Sequence, residues 1–297
     1  MSSIGRILFP TDFSESSEAA AVEAFAIAGL QNAEIHLLHI NLLFENDPHQ
    51  FPSNATHPPK DISPATEKKF EVLIEKHGSG NLDITQAEIR SIAAGSAIVE
   101  YARDHDFDLI VMGTHGRRGL RHWMLGSTAE ETVKTAHCPV LTVRNRRSEG
   151  NPAHFERILV PTDFSAGADE TVRYARIAAA KSEGELLLLH VIPAPTIPDL
   201  YGWPINPTDN HYDKATTESH KHLDRLMAEE GPQIKFETHV TRGNPHRQIV
   251  AFAKEHEASI ILMPHRGADS IFDHFIGSTT ERVLRSAECP VLTLPLP

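Results

Sequence analysis

The chain has 297 residues, of which 40% are apolar and 23% charged, and its formal net charge is −12. These values are typical of a globular protein of about two domains, and the acidic balance argues against a nucleic acid partner. Two cysteines cannot build a disulfide framework, and the sequence has neither a signal-like leader nor an apolar run of about 18 residues. We therefore expect a cytoplasmic protein without a membrane partner.

In chain order, the first half alternates apolar segments with helical ones. Strands are predicted at 6–10, 34–40, 83–89, 108–112 and 139–144, and helices at 14–29, 64–77, 97–106 and 127–136. The strands are nearly continuous Val, Ile and Leu runs, as in parallel sheets with helices on both faces. Five strands alternating with four helices predict an open, doubly wound α/β domain. A ligand of such a domain lies beyond the carboxyl ends of the strands, where the strand order reverses.

The second half repeats the first at an offset of 151 residues. RILFPTDFS at 6–14 matches RILVPTDFS at 157–165, and CPVLT at 138–142 matches CPVLT at 289–293. One offset over the whole length indicates a duplicated domain rather than a solenoid of short repeats. The polar linker contains Gly150, near which we place the boundary between domains at 1–147 and 148–297. In both copies the serine after PTDF is predicted to cap the following helix.

Two segments rich in Pro, Asn and His, 41–64 and 192–210, follow the second strand of each half. Loop statistics favour ordinary surface loops. The alternative is a flap over a ligand, because both segments emerge at the carboxyl edge of the predicted sheet.

The stretch after the fourth strand carries the clearest ligand signal. Gly113 ends the strand, Gly116 follows, and GST at 126–128 opens a helix. Glycine lets the backbone turn sharply and removes the Cβ that would block a ligand. The Gly-Ser-Thr start offers N–H groups, hydroxyls and the positive end of the helix dipole, which together suit a phosphate. Arg117 and Arg118 can act as counter-charges, so we predict a nucleotide phosphate site.

Polar residues also follow or end the first two strands. Asp12 and Asp163 come after the first strand of each half, where a carboxylate can accept hydrogen bonds from a ribose hydroxyl or an adenine amine. The alternative role is a negative charge at the start of the next helix. His39 ends the second strand, a position that favours a hydrogen-bonded core residue. The backbone of the next residue, Ile40, is better placed to bind an adenine edge.

Other signatures are missing from the sequence. His36 and His39 are three apart on a strand and point to opposite faces, and no H-E-x-x-H or paired C-x-x-C occurs, so we expect no metal site. The P-loop, the dinucleotide fingerprint and the serine-hydrolase elbow are absent as well. Because the glycine-rich stretch contains no evident nucleophile or general base, we predict no catalytic residue and no efficient chemistry.

Three motifs resemble the universal stress protein family in both halves. They are PTDFS after the first strand, G-x-x-G-(nine residues)-G-[ST] after the fourth strand, and the closing CPVL. The glycine spacing is similar to that of the ATP-binding branch of the family. The resemblance implies a five-stranded parallel sheet in the order 3-2-1-4-5 in each half, with the two fifth strands paired around a pseudo-twofold axis. It also implies ATP with Mg²⁺ as the ligand, and it allows a homodimer.

Carried onto this chain, the resemblance implies nucleotide contacts in both halves. In the first half they are Pro10, Thr11, Asp12, Ile40, Gly113, His115, Gly116, Gly126, Ser127 and Thr128. In the second half they are weaker, at Asp163, Val191, Gly267, Gly277, Ser278 and Thr279.

The second half departs from the pattern at its glycine stretch. Pro264 stands where Gly113 stands in the first half, and Ala268 and Asp269 replace the two arginines. Because proline has no N–H and a φ near −65°, we expect the turn and its backbone contacts to change. An aspartate near phosphates costs Coulomb energy. We therefore expect ATP in the first half, and weak or no binding in the second.

These observations favour a nucleotide-dependent regulator in the stress response. ATP would order the loops and change the surface that the protein offers to a partner. Two alternatives stay open: a slow ATPase or phosphotransferase, and an interaction scaffold that binds no nucleotide.

Overall fold

The computed structural model describes residues 4–43, 62–78, 80–114, 125–144, 155–193, 209–229, 231–265 and 276–295. The first half consists of β1 (Arg6–Pro10), α1 (Glu15–Gln31), β2 (Glu34–Leu42), α2 (Pro64–His77), β3 (Ile84–Ser91), α3 (Ala94–Asp104), β4 (Leu109–Gly113), α4 (Ser127–Thr135) and β5 (Val140–Val143). The second half consists of β6 (Arg157–Thr162), α5 (Ala166–Ser182), β7 (Glu185–Pro193), α6 (Asp209–Ala228), β8 (Lys235–Gly243), α7 (Pro245–Glu255), β9 (Ile260–Pro264), α8 (Ser278–Ser286) and β10 (Val291–Leu294).

All ten strands join in one sheet, in the order β3-β2-β1-β4-β5-β10-β9-β6-β7-β8. Within each half the strands are parallel and follow the order 3-2-1-4-5. The two halves meet at β5 and β10, which are antiparallel. Thr142 Oγ1 donates to Val291 O at 3.2 Å, and Thr293 Oγ1 donates to Val140 O at 3.2 Å. The predicted fold class and the pseudo-twofold pairing of the fifth strands are confirmed.

Helices cover both faces of this sheet. The α1 and α2 side chains pack on one face, together with α5 and α6, while α3, α4, α7 and α8 pack on the other. Both apolar layers continue from one half into the other across β5 and β10. Each chain reversal after a strand therefore places a loop and a helix N-terminus at the carboxyl edge of the sheet, where a ligand is expected.

The starts of the first helix in each half follow from local chemistry. Ser14 Oγ accepts the Ser17 N–H at 3.3 Å at the start of α1, and Ser165 Oγ accepts the Ala168 N–H at 3.3 Å at the start of α5. The predicted serine caps are confirmed. The start of α3 was predicted three residues too late, because Ala93 precedes this helix and offers no side-chain cap.

The two cysteines lie in the apolar layer on the α3 and α4 face. Cys138 and Cys289 are buried thiols that form no disulfide. Burial raises the pKa of the Cys138 thiol to about 12, which keeps it protonated and unreactive at neutral pH. Within the part of the chain that the structure describes, no helix combines the length and apolar character needed to cross a membrane.

His36 is a buried titratable group in β2. Its Nδ1 lies 2.7 Å from Thr85 Oγ1 and its Nε2 lies 2.9 Å from Tyr101 Oη. Burial lowers the pKa of His36 from 6.5 to about 4. The unfolded chain therefore takes up a proton near pH 6.5, whereas the folded protein does so only near pH 4, and folding stability falls as the pH is lowered through this window.

We expect His36→Gln to flatten this part of the pH profile. Relative to neutral pH, the wild-type protein should lose about 1–3 kcal/mol more than the variant at pH 4, because glutamine does not titrate. Urea unfolding at a series of pH values measures the difference. Parallel profiles of the two proteins between pH 6.5 and 4 would show that His36 is not the titrating group.

Candidate functional site

The candidate site lies at the carboxyl ends of β1, β2 and β4. In the sheet, β1 pairs with β2 on one side and with β4 on the other. The chain moves outward from β1 to β2 and β3, and α3 then returns it to β4. The strand order therefore reverses between β1 and β4, which is the position where a crevice opens in doubly wound sheets.

Thr11 organises the loop that leaves β1. Its Oγ1 accepts the Phe13 N–H at 3.0 Å and the Ser17 hydroxyl at 2.7 Å, which ties the loop to the first turn of α1. Its carbonyl oxygen lies 2.8 Å from Nδ1 of the buried His39, which therefore carries the proton and donates. The interpretation of His39 as a hydrogen-bonded core residue is confirmed, and Ser17 is a loop-positioning residue that sequence reasoning missed.

The two aspartates of PTDFS have the same local contact but different exposure. Asp12 Oδ1 accepts the Ser14 N–H at 3.0 Å, and Asp163 Oδ1 accepts the Ser165 N–H at 3.0 Å. Each aspartate therefore supports the start of a helix, as one of the two sequence interpretations stated. Asp12 is half-buried at the β1 exit, whereas Asp163 is exposed. The two halves therefore differ in how far this aspartate is exposed to solvent.

Gly113 is required by helix packing. A Cβ added at Gly113 would lie 2.7 Å from the Ser16 carbonyl oxygen and 2.7 Å from Ser16 Oγ. Gly113 also has an ordinary backbone conformation, since it is not among the glycines with positive φ. The expectation that this glycine is there to spare a ligand from a Cβ is corrected: helix α1 already occupies that space. This close approach brings the β1 loop and the β4 exit together.

We expect Gly113→Ala to destabilise the protein by about 1–3 kcal/mol, because the added methyl group overlaps the Ser16 backbone. Gly29→Ala is the matched control, because a Cβ at Gly29 in α1 would meet nothing within 4 Å. The control should gain about 0.5 kcal/mol from helix propensity. Urea unfolding of both variants measures the contrast, and equal stabilities would contradict this account of Gly113.

The exit from the fourth strand has the same hydrogen bonds in both halves. Thr114 donates its N–H to Val143 O at 3.0 Å and accepts the Gly126 N–H at 2.8 Å. In the second half, His265 donates its N–H to Leu294 O at 3.0 Å and accepts the Gly277 N–H at 2.9 Å. The expectation that Pro264 changes the turn and its backbone contacts is therefore wrong for these residues.

A sequence exchange accompanies this preserved turn. At the offset of 151 residues, Ser16 of α1 corresponds to Gly167 of α5, and Gly113 corresponds to Pro264. Gly167 is buried in α5. In the first half, Gly113 of β4 faces Ser16 of α1. In the second half, the strand residue is Pro264 and the helix residue is Gly167. In each half, therefore, glycine stands at one of the two positions and a larger residue at the other.

The first turn of α4 faces the candidate site without a side-chain cap. Gly126 is the N-cap residue, with φ −64° and ψ 144°, and no described side chain caps this helix. Ser127 is exposed and Thr128 is half-buried. The start of α8 is alike, with Gly277 as N-cap, Ser278 exposed and Thr279 half-buried. A helix start of this kind presents N–H groups and hydroxyls to an anion.

Backbone groups of β2 supply a further part of the site. Leu38 O accepts the Thr11 N–H at 2.8 Å, so the Leu38 backbone faces β1. Backbone groups alternate sides along a strand, and those of Ile40 therefore also face the β1 side. The β1 pairing ends at Leu38, two residues earlier. The N–H and C=O of Ile40 thus point toward the region beyond β1, and Val191 of β7 stands at the corresponding position.

The structure therefore brings a subset of the predicted residues together. Around the β1, β2 and β4 ends of the first half these are Pro10, Thr11, Asp12, Ile40, Gly113, Gly126, Ser127 and Thr128. The second-half positions Asp163, Val191, Gly277, Ser278 and Thr279 lie at the corresponding strand and helix ends. His115, Gly116, Gly267, the arginine pair and its counterparts lie outside the described residues.

Comparisons with known proteins agree with the motifs. The model of the universal stress protein family matches residues 3–144 and 154–295. A universal stress protein of Methanocaldococcus jannaschii is 33% identical over 162 residues, which cover 48% of this chain and 84% of that protein. One from Mycolicibacterium smegmatis is 26% identical over 303 residues, or 97% of this chain and 96% of that protein. The structure of one from Archaeoglobus fulgidus has the same fold, with a TM-score of 0.63, 24% identity and 99% coverage of both chains.

Proposed function

We propose that this chain, which belongs to the universal stress protein family, binds ATP in its first half and acts as a nucleotide-dependent regulator in the stress response. The observation that carries the proposal is the start of α4, which no side chain in the described part of the chain caps. Ser127 and Thr128 lie there beside the point where the strand order reverses. We include Mg²⁺, because triphosphate oxygens are the hard ligands that this cation prefers.

Each part of the first-half site has a chemical role in this proposal. The N–H groups and hydroxyls of Ser127 and Thr128 donate to phosphate oxygens at the positive end of the α4 dipole. The half-buried carboxylate of Asp12 accepts from the ribose hydroxyls. The N–H and C=O of Ile40 pair with the adenine edge, since they face the region where β1 has ended.

The second half keeps the same helix start but differs at the other positions. Asp163 is exposed where Asp12 is half-buried. Asp269 replaces an arginine of the first half, and a carboxylate near phosphates is repelled by them. We propose that this half binds ATP weakly or not at all, and that it acts mainly through its pairing with the first half.

Nucleotide stoichiometry tests the proposal. Isothermal titration of the full chain with ATP and Mg²⁺ should show one tight site per chain, because only the first half combines Asp12 with the arginine pair. Two equal, tight sites would contradict the asymmetry between the halves. No binding at all would contradict the proposal and favour the nucleotide-free scaffold.

A measurement of ATP turnover by the full chain distinguishes a regulator from an enzyme. The sequence offers no evident general base in the glycine-rich stretch to activate a nucleophile, so we expect no sustained turnover of ATP with Mg²⁺. Multiple turnovers well above background, abolished by Gly116→Asp, would favour the slow ATPase or phosphotransferase. We further propose that the protein acts in the cytoplasm, which suits its two buried cysteine thiols.

A further inference from the structure

Three metal-ligating side chains meet at the outer edge of the second half. Glu237 and His239 are two residues apart on β8 and so point to the same face of the sheet. His256 follows α7, which packs on that face. One ligand atom from each of the three side chains can be chosen so that all lie within 4.8 Å of one another. Because β8 is the last strand of the sheet, this cluster is separate from the β6 and β9 exits.

The rings of the cluster are held by their neighbours. His239 Nε2 lies 3.0 Å from Glu237 Oε2. Phe252 of α7 contacts both imidazoles, stacking on His256 at 3.8 Å between centroids and meeting the His239 ring edge-on at 4.8 Å. His239 is 30% and Glu237 48% exposed, so the cluster is open to ions from solvent.

The donor set indicates which class of ion fits. Two imidazole nitrogens and one carboxylate oxygen suit zinc and neighbouring transition metals, whereas Mg²⁺ and Ca²⁺ select oxygen ligands. Two atoms bound at about 2.1 Å to one tetrahedral zinc ion lie about 3.4 Å apart. Side-chain rotation therefore has to shorten the separations in the cluster, which reach 4.8 Å, by at most about 1.4 Å. A cation here also lies near the negative end of the α7 dipole.

The first half provides an internal comparison. By strand register and helix ends, Thr85, Ala87 and His105 stand at the positions of Glu237, His239 and His256. Thr85 and Ala87 offer neither a carboxylate nor an imidazole, and Thr85 Oγ1 donates to Glu34 Oε1 at 2.8 Å. Among the residues that the structure describes, this two-histidine, one-carboxylate set therefore occurs only in the second half.

We propose that Glu237, His239 and His256 bind one first-row divalent transition-metal ion of the zinc class. The three side chains leave a coordination position for water, as in open zinc sites. The bound ion links the end of α7 to the outermost strand of the sheet. This site does not depend on the nucleotide proposal. Its position was not predicted, because residues 237 and 256 are distant in sequence and form no short motif.

The test is a zinc titration of the full chain without a histidine tag, in competition with a chromophoric chelator. The protein has 19 histidines, and others among them can also bind zinc. The result is therefore the difference in zinc affinity between the wild type and each variant. His239→Gln and His256→Gln should each weaken the tightest site more than about tenfold, since even outer-shell changes cost tenfold or more. His105→Gln, the matched change in the first half, should leave the affinity unchanged.

Two further measurements separate metal binding from misfolding. Glu237→Gln changes the most exposed ligand and should also weaken zinc, while circular dichroism and ATP affinity stay as in the wild type. Co²⁺ should give visible absorption bands in the wild type that His256→Gln removes. Unchanged zinc affinity in the His239 and His256 variants, or an equal loss in His105→Gln, would overturn the proposal.

Discussion

Gly126→Val should abolish ATP binding by the first half while leaving the fold intact. At the N-cap of α4, a valine side chain would stand over the N–H groups of Ser127 and Thr128 and keep phosphates away. Charge-assisted hydrogen bonds of this kind are worth about 1.5–3 kcal/mol each, so the loss of two weakens ATP at least about 100-fold. The backbone at Gly126, with φ −64° and ψ 144°, is open to valine without strain.

Gly277→Val is the matched control for this prediction. Gly277 has nearly the same conformation, with φ −57° and ψ 136°, and donates to His265 O much as Gly126 donates to Thr114 O. In the proposed asymmetric protein, the control variant keeps its tight ATP site. Titration calorimetry on both variants gives the affinities, and thermal unfolding checks the fold. Unchanged affinity in Gly126→Val would mean that the phosphates lie elsewhere.

Leu292→Ala should cost about 2–5 kcal/mol of folding stability, because it opens a cavity where the two halves meet. Leu292 of β10 lies directly opposite Leu141 of β5, and these side chains are only 3% and 1% exposed. Facing residues in antiparallel strands are in direct contact, so their contributions should be coupled. The double variant Leu141→Ala/Leu292→Ala should therefore differ from the sum of the single variants by about 0.5–3 kcal/mol.

Leu30→Ala serves as the control for this cavity. Leu30 lies in α1 and is 62% exposed, so its truncation should change stability by less than about 1 kcal/mol. Chemical unfolding, followed by fluorescence and circular dichroism, measures the free energy of unfolding of the wild type, the two single leucine variants, the double variant and Leu30→Ala. Additive effects of Leu141→Ala and Leu292→Ala on the free energy of unfolding would contradict the packing described for β5 and β10. So would a loss of stability with Leu292→Ala that is no larger than the loss with Leu30→Ala.

Most secondary structure could be predicted from the sequence because its signals are local. Apolar runs mark the strands, and Ser14 and Ser165 mark the starts of α1 and α5 by their own hydrogen bonds. The start of α3 was misplaced because Ala93 carries no such signal. The order of the strands is not a local property, and it was available only through the resemblance to a family.

In the candidate site, too, residues within short motifs could be predicted, whereas contacts between residues far apart in the sequence could not. The residues of PTDFS and of the α4 start could be named from their motifs, and the structure places them at adjoining strand ends. The reason for Gly113 could not be found in its motif, since the residue whose backbone and side chain exclude a Cβ is Ser16, 97 positions earlier. Similarly, the Glu237, His239 and His256 cluster exists only after α7 has packed on β8.

The covalent link between β5 and β10 has a consequence for how this protein can vary. Two identical chains joined through their last strands would come apart on dilution, and every substitution would appear in both partners. Here the partner is always present at a fixed local concentration, because it is part of the same polypeptide. A substitution in one half, such as Asp269 in place of an arginine, therefore has no counterpart in the other half. This arrangement lets one half specialise while the other continues to support it.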